Sequence, residues 1–207
     1  MSANVMSASV VVFDIGKVLI DWDPRHLYRT MFADEREMEE FLREVCARDW
    51  ILELDRGKPF AEAVTERIAL FPHYEKQIRA FDERWHETNR GVIDGSMAIL
   101  KKLQAAGVPN YAITNFSAEK FEDARKVFPF LDSFDGIVVS GRERLLKPDA
   151  AIYNLFLDRH RLTAADCIFI DDSAANVDGA RAIGMHGHHF VDADGLARDL
   201  RQHGFAV

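Results

Sequence analysis

Residues 10–18 read Val10-Val11-Val12-Phe13-Asp14-Ile15-Gly16-Lys17-Val18: four apolar residues, three of them β-branched, stop at a carboxylate. A short, unalternating apolar run of this kind reads as a strand buried on both faces, as in a parallel sheet. Four further runs follow, at residues 108–114 (interrupted by Pro109), 134–140, 167–170 and 186–191. Between them lie helical patterns. Residues 97–106 place Ile99, Leu100 and Leu103 on one face and stop at Gly107. Ser117 introduces a helix through Val127 that ends before Pro129. Ile152, Leu155 and Phe156 mark a third, and residues 174–183 a fourth, closed by Gly184. Alternating strands and helices predict an α/β fold with a parallel sheet and helices on both faces.

In such sheets ligands collect at the carboxyl ends of the strands. The residues there are Asp14, then Thr114 and Asn115, then Ser140 with Lys147 shortly beyond, then Asp171 and Asp172. Each end carries groups suited to a phosphate or a metal. Residues 22–90 break the alternation. They are rich in helix formers and aromatics, with no convincing strand, and read as a helical insertion after the first strand. The expected division is residues 1–20 and 91–207 for the α/β part and 21–90 for the insertion.

The 207 residues suffice for a buried core with a modest insertion. A formal net charge of −8 with no basic block argues against nucleic acid as a partner. The two cysteines, Cys46 and Cys167, are far apart and outside any Cys-x-x-Cys pattern, which suits reduced core thiols and a cytoplasmic setting. Residues 1–9 lack the pattern of a secretory signal and read as a loose tail. The apolar run after them is too short to span a membrane, so no membrane association is expected.

Four motifs in this order, Phe13-Asp14-Ile15-Gly16-Lys17-Val18, Thr114-Asn115, Lys147-Pro148 and Asp171-Asp172, resemble the haloacid dehalogenase-like hydrolase superfamily. The insertion is similar to the helical cap of its subfamily I. The resemblance implies a Rossmann-like core with a small α-helical cap and a Mg²⁺-dependent phosphatase. Asp14 would attack phosphorus to form an aspartyl phosphate, which water then hydrolyses. Asp14, the Gly16 carbonyl and Asp172 would supply oxygen ligands to Mg²⁺, with Asp171 bound directly or through water. Lys147 would pair with Asp14 and the phosphate, Thr114 would donate its hydroxyl, and the Asn115 N–H would complete the cradle.

Two departures matter. Phosphatases of this family commonly read Asp-x-Asp in the first motif, and here the second position is Gly16. The missing carboxylate normally protonates the leaving alcohol and then activates water, help worth roughly 10²–10⁴-fold. Lys17 also stands where a small residue or Asn is common. The first departure opens two alternatives. A 2-haloacid dehalogenase would use Asp14 on carbon and release a halide that needs no proton, but such enzymes work without metal and resemble Ser-x-Asn at the last motif. A non-catalytic protein that binds a phosphorylated ligand is the other.

Trp22 and Arg25, with Asp23, follow the first motif closely enough to line an entrance and contact substrate. Trp50 and Trp85 are expected to pack the insertion's own helices. A small insertion fits a small phosphorylated metabolite, such as a sugar phosphate, and a monomer or homodimer. Asn176 suits either a role in orienting the Asp171-Asp172 loop or a plain helix start. His186-Gly187-His188-His189 reads as a structural edge strand and not a metal site.

Overall fold

The computed structural model describes residues 8–207, so most of the tail expected over residues 1–9 lies outside the described residues. Strand β1 (Val10–Phe13) leads into β2 (Ile20–Trp22). Five helices follow: α1 (Pro24–Tyr28), α2 (Glu35–Glu44), α3 (Arg48–Asp55), α4 (Phe60–Leu70) and α5 (Glu75–Glu83). The chain returns through β3 (Asn89–Val92) to α6 (Asp94–Ala105), β4 (Asn110–Thr114), α7 (Ala118–Val127) and β5 (Gly136–Val139). It closes with α8 (Ser140–Glu143), α9 (Ala150–His160), β6 (Cys167–Asp171), α10 (Ala174–Ala182), β7 (His186–His189) and α11 (Ala193–Gln202).

The five runs singled out in the sequence form one sheet in the order β5-β4-β1-β6-β7, with every neighbour parallel. β1 is central because all four of its residues are buried on both faces. Val11 and Phe13 pack with Met97, Leu100 and Leu103 of α6 and Leu196 and Leu200 of α11. Val10 and Val12 face Ile152, Tyr153 and Phe156 of α9 and Ala180 of α10. A strand covered by helices on both sides gains nothing from alternation, so its sequence is apolar throughout. Because all five strands run the same way, Asp14, Thr114, Ser140 and Asp171 come to one edge of the sheet. The insertion's apolar faces merge into a third cluster in which Tyr28, Phe41, Trp50 and Phe81 pack together.

Several boundaries differ from the sequence reading. β4 begins at Asn110, because the Val108 N–H still bonds the Leu103 carbonyl in the turn that ends α6. That turn runs through Gly107 at φ 71°, a conformation glycine adopts at no steric cost. The third run shortens to Gly136–Val139, since Ser140 opens α8. Residues 22–90 also touch strand structure at both ends: β2 pairs antiparallel with β3 through Ile20–Val92 and Trp22–Asn89. Strands of three and four residues, with β3 alternating half-buried and exposed, carry no apolar run to signal them. Helix α11, with Asp192 as its N-cap, was absent from the sequence reading because only Leu196 and Leu200 anchor it. Among the described residues no helix is long and apolar enough to cross a membrane. Cys46 and Cys167 are free and buried, as expected.

Candidate active site

Lys147 is the hub of the charged cluster at the sheet edge. Its side chain has no solvent exposure, and its ammonium reaches three oxygens: the Ile113 carbonyl at 2.9 Å, Asp171 Oδ2 at 2.7 Å and Asp14 Oδ1 at 2.8 Å. Three donors with three acceptors leave no buried N–H unpaired. Burial works against the charged amine, but the Asp14 and Asp171 carboxylates outweigh it and hold Lys147 above the usual lysine range. Its loop is tied down by Asn115, whose side-chain oxygen accepts from the Lys147 backbone N–H at 2.9 Å and whose amide donates to the Lys147 carbonyl at 3.1 Å. The sequence reading gave Asn115 a backbone role only; its side chain also fixes the lysine that pairs with Asp14 and Asp171.

Asp171, fully buried, accepts from Lys147, the Ser173 N–H at 2.8 Å and the Asn176 amide at 3.0 and 3.1 Å. Asn176 therefore orients this carboxylate, and the Tyr153 hydroxyl, donating to the Asn176 carbonyl at 2.7 Å, holds Asn176 in turn. Asp172 is half-buried, and burial, reinforced by the Asp171 charge, raises it above the normal carboxylate range. Asp14 is pushed up to about 7 by burial, with Asp171 and Asp172 adding to the shift and Lys147 opposing it. One lysine does not neutralise three carboxylates. Oxygens of Asp14, Asp171 and Asp172 all lie within 4.8 Å of one another. Such a set of hard oxygen donors with excess negative charge fits a small divalent cation.

Asp14, Gly16, Lys17, Trp22, Arg25, Asn115 and Asp172 line one cavity of about 520 Å³. Thr114, Lys147 and Asp171 are buried at the same sheet edge. Lys17 is exposed at φ 59° on the cavity wall, and its charge works to lower the pKa of Asp172. Arg25 reaches the cavity already engaged: it donates to both Glu39 oxygens at 2.6 and 2.7 Å, so its guanidinium serves as a strut between α1 and α2. A Cβ at Gly16 would meet no atom within 4 Å, so the glycine there is not imposed by packing. The N-terminus of α7, capped by Ser117, opens onto the cavity through Asn115, Phe116 and Ser117, a placement that favours anions.

Trp50 packs within the insertion as expected, its ring 5.4 Å from Phe81 and its indole N–H donating to the Ala63 carbonyl at 3.3 Å. Trp85 is buried in the same cluster but also reaches out of the insertion: its ring lies 5.4 Å from Phe116, on the loop after β4, and both line the cavity. In β7, His188 pairs with Asp199 at 2.8 Å and His189 bonds the Asp172 carbonyl at 2.9 Å. The sequence reading missed Asp55 and Lys120, both cavity residues. Neither belongs to a motif: Lys120 sits in the first turn of α7, whereas Asp55 ends α3 and reaches the sheet edge only through the fold of the insertion.

A family model described as haloacid dehalogenase-like hydrolase matches residues 8–184. The sesquiterpene phosphatase AstK of Aspergillus oryzae is 38% identical over 197 residues, covering 92% of this chain and 94% of that protein. A solved haloacid dehalogenase family enzyme from Bacteroides thetaiotaomicron, in complex with magnesium and inorganic phosphate, shares the fold. Its TM-score is 0.67 at 21% identity, over 87% of this chain and 93% of that one. The L-2-haloacid dehalogenase of Xanthobacter autotrophicus, with chloropropionic acid covalently bound, superposes at a TM-score of 0.63 with 17% identity, over 94% of this chain and 82% of that one.

Proposed function

The chain belongs to the haloacid dehalogenase-like hydrolase family, and on that footing we propose that it is a Mg²⁺-dependent phosphatase with Asp14 as nucleophile. The observation that carries this reading is the crowding of Asp14, Asp171 and Asp172 around one buried lysine. Carboxylates this close repel unless positive charge is added, and a reaction on a phosphate ester needs that same charge. Bound Mg²⁺ would supply charge neutralisation for the phosphoryl group and favour ionised Asp14. Asp14, Asp172 and the Gly16 carbonyl would hold the ion. Asp171 is so fully engaged by Lys147, Ser173 and Asn176 that its role is to set Lys147 and, through water, the ion.

In the reaction an Asp14 oxygen attacks phosphorus in line, the ester P–O bond breaks, and the alcohol leaves. Water then attacks the aspartyl phosphate and returns the Asp14 carboxylate. Lys147 holds Asp14 in place, and Thr114 with the Asn115 N–H and the α7 N-terminus receives the phosphate oxygens. A dehalogenase would need no cation, and the three clustered carboxylates disfavour it.

The organic part of the substrate would lie in the cavity between the sheet edge and the insertion. There Trp22, Leu42, Leu54, Phe60, Trp85 and Phe116 line the wall. Although Arg43, Arg48 and Lys120 also line the cavity, this apolar stretch of wall suits an apolar group more than the sugar phosphate expected from the size of the insertion. The whole-length similarity to a protein named as a sesquiterpene phosphatase supports the same choice. The test is hydrolysis of p-nitrophenyl phosphate with Mg²⁺ and with EDTA. Turnover is expected only with the metal, and Asp14→Asn should lower it by about 10⁴-fold or more, as for loss of a nucleophile. Chloride release from 2-chloropropionate in EDTA would overturn the assignment.

A further inference from the structure

Resting on the phosphatase reading, we propose that Asp55, at the end of α3, is the proton donor and acceptor for the leaving alcohol and the attacking water, in place of the carboxylate absent at Gly16. Asp55 lines the same cavity as Asp14, Gly16 and Asp172, yet it belongs to the insertion. Its position is built. The Ser140 hydroxyl donates to the Asp55 carbonyl at 2.6 Å and accepts from the Phe116 N–H at 2.9 Å, so one buried serine joins the end of α3 to the loop beyond β4. Two residues on, Gly57 sits at φ 98°, where an added Cβ would come 2.6 Å from the Gly141 carbonyl oxygen; only glycine allows the two backbones to approach so closely. The end of α3 is thus clamped on the α/β part.

The charged groups around Asp55 come from each element that packs there. Lys147 and the Ser117 N–H favour its ionised form. Lys120 of α7 lines the same cavity but is bonded to Asp82. Arg144 after α8 lies against Gly57, and Asp14, Asp172 and Lys17 line the cavity with Asp55. Burial dominates this set and pushes Asp55 up to about 7. A carboxyl that titrates near neutrality is suited to both halves of the cycle. At Gly16, by contrast, there is open space and no acid.

The proton balance closes. As Asp14 bonds to phosphorus and the ester P–O bond breaks, neutral Asp55 gives its proton to the departing oxygen and becomes a carboxylate. As water attacks the aspartyl phosphate and the P–O bond to Asp14 breaks, Asp55 takes the water's proton and is neutral again.

The experiment compares Asp55→Asn with wild type on p-nitrophenyl phosphate and on an alkyl phosphate, by stopped flow with Mg²⁺. p-Nitrophenolate leaves without a proton, so the variant should still give a burst of about one p-nitrophenolate per site and then turn over slowly. That burst also counts folded sites. With the alkyl ester, which needs the proton, kcat should fall by about 10²–10³-fold. In wild type, the alkyl-ester rate should decline as pH rises above neutrality, and the variant should lose this limb. Equal slowing of both esters in burst and steady state, or an unchanged alkyl-ester rate, would overturn the assignment of Asp55 alone. A wild-type protein that hydrolyses neither ester would remove the phosphatase reading and this inference together.

Discussion

At Lys147 a single side chain ties two of the three clustered carboxylates together. Its ammonium is wholly buried and bonded to Asp14, Asp171 and a backbone carbonyl. Removing one partner of such a buried set leaves uncompensated charge, which costs about 3–5 kcal/mol. Lys147→Ala is therefore expected to lower the urea unfolding free energy at pH 7, without added metal, by roughly that amount. A loss below about 1 kcal/mol would mean that the carboxylates simply take up protons instead. The sequence exposes Lys147 through its Lys-Pro context and its place past a strand end, but not the three oxygens that surround it. Arg25 shows the reverse: its sequence position near the first motif is suggestive, whereas the fold commits its guanidinium to Glu39.

Elements differ in how plainly the sequence announces them. β1 and β6 are apolar runs buried on both faces, and a run of that kind has one good place to go, the centre of a parallel sheet. The β2–β3 ribbon and α11 have no comparable signal, because their stability comes from neighbours and not from their own pattern. α11 is a case in point: Leu196 and Leu200 are fully buried against the α6 side of the sheet, while the rest of the helix is half-buried or exposed. Leu200→Ala should destabilise the protein by about 2–5 kcal/mol, measured by chemical denaturation, even though the helix lies outside every motif. A change of a few tenths would show that α11 is a detachable appendage.

Across the whole molecule, the carboxyl edge of the sheet and the inserted helices enclose one cavity, acidic at Asp14 and Asp172, with an apolar stretch of wall at Trp22, Leu42, Leu54, Phe60, Trp85 and Phe116 among charged residues such as Arg25, Glu39 and Lys120. This division predicts how affinity should scale with substrate. Each methylene moved from water into the apolar end contributes about 0.8 kcal/mol, or roughly a fourfold gain in kcat/KM. Straight-chain alkyl phosphates of increasing length should climb in this way until the chain outgrows the cavity, and glucose phosphates should lie well below them. A flat series, or preference for the sugar esters, would sink the apolar reading while leaving the nucleophile in place.

What the sequence by itself determined is the parallel sheet and the placing of Asp14, Thr114, Lys147, Asp171 and Asp172 at or just beyond its strand ends. Local patterning suffices for these, because buried strands must be apolar and the residues closing them must then be polar for a reason. Tertiary structure alone decided that Trp85 and Asp55 reach the cavity, that Arg25 is occupied by Glu39, and that aromatic and aliphatic side chains from the insertion line part of the chamber. These facts depend on which helix faces meet across long stretches of chain, and Asp55 reaches the sheet edge through a serine and a glycine contact 85 and 84 residues away in sequence. No window of sequence around Asp55 holds that information, because the partners that place it are elsewhere in the chain.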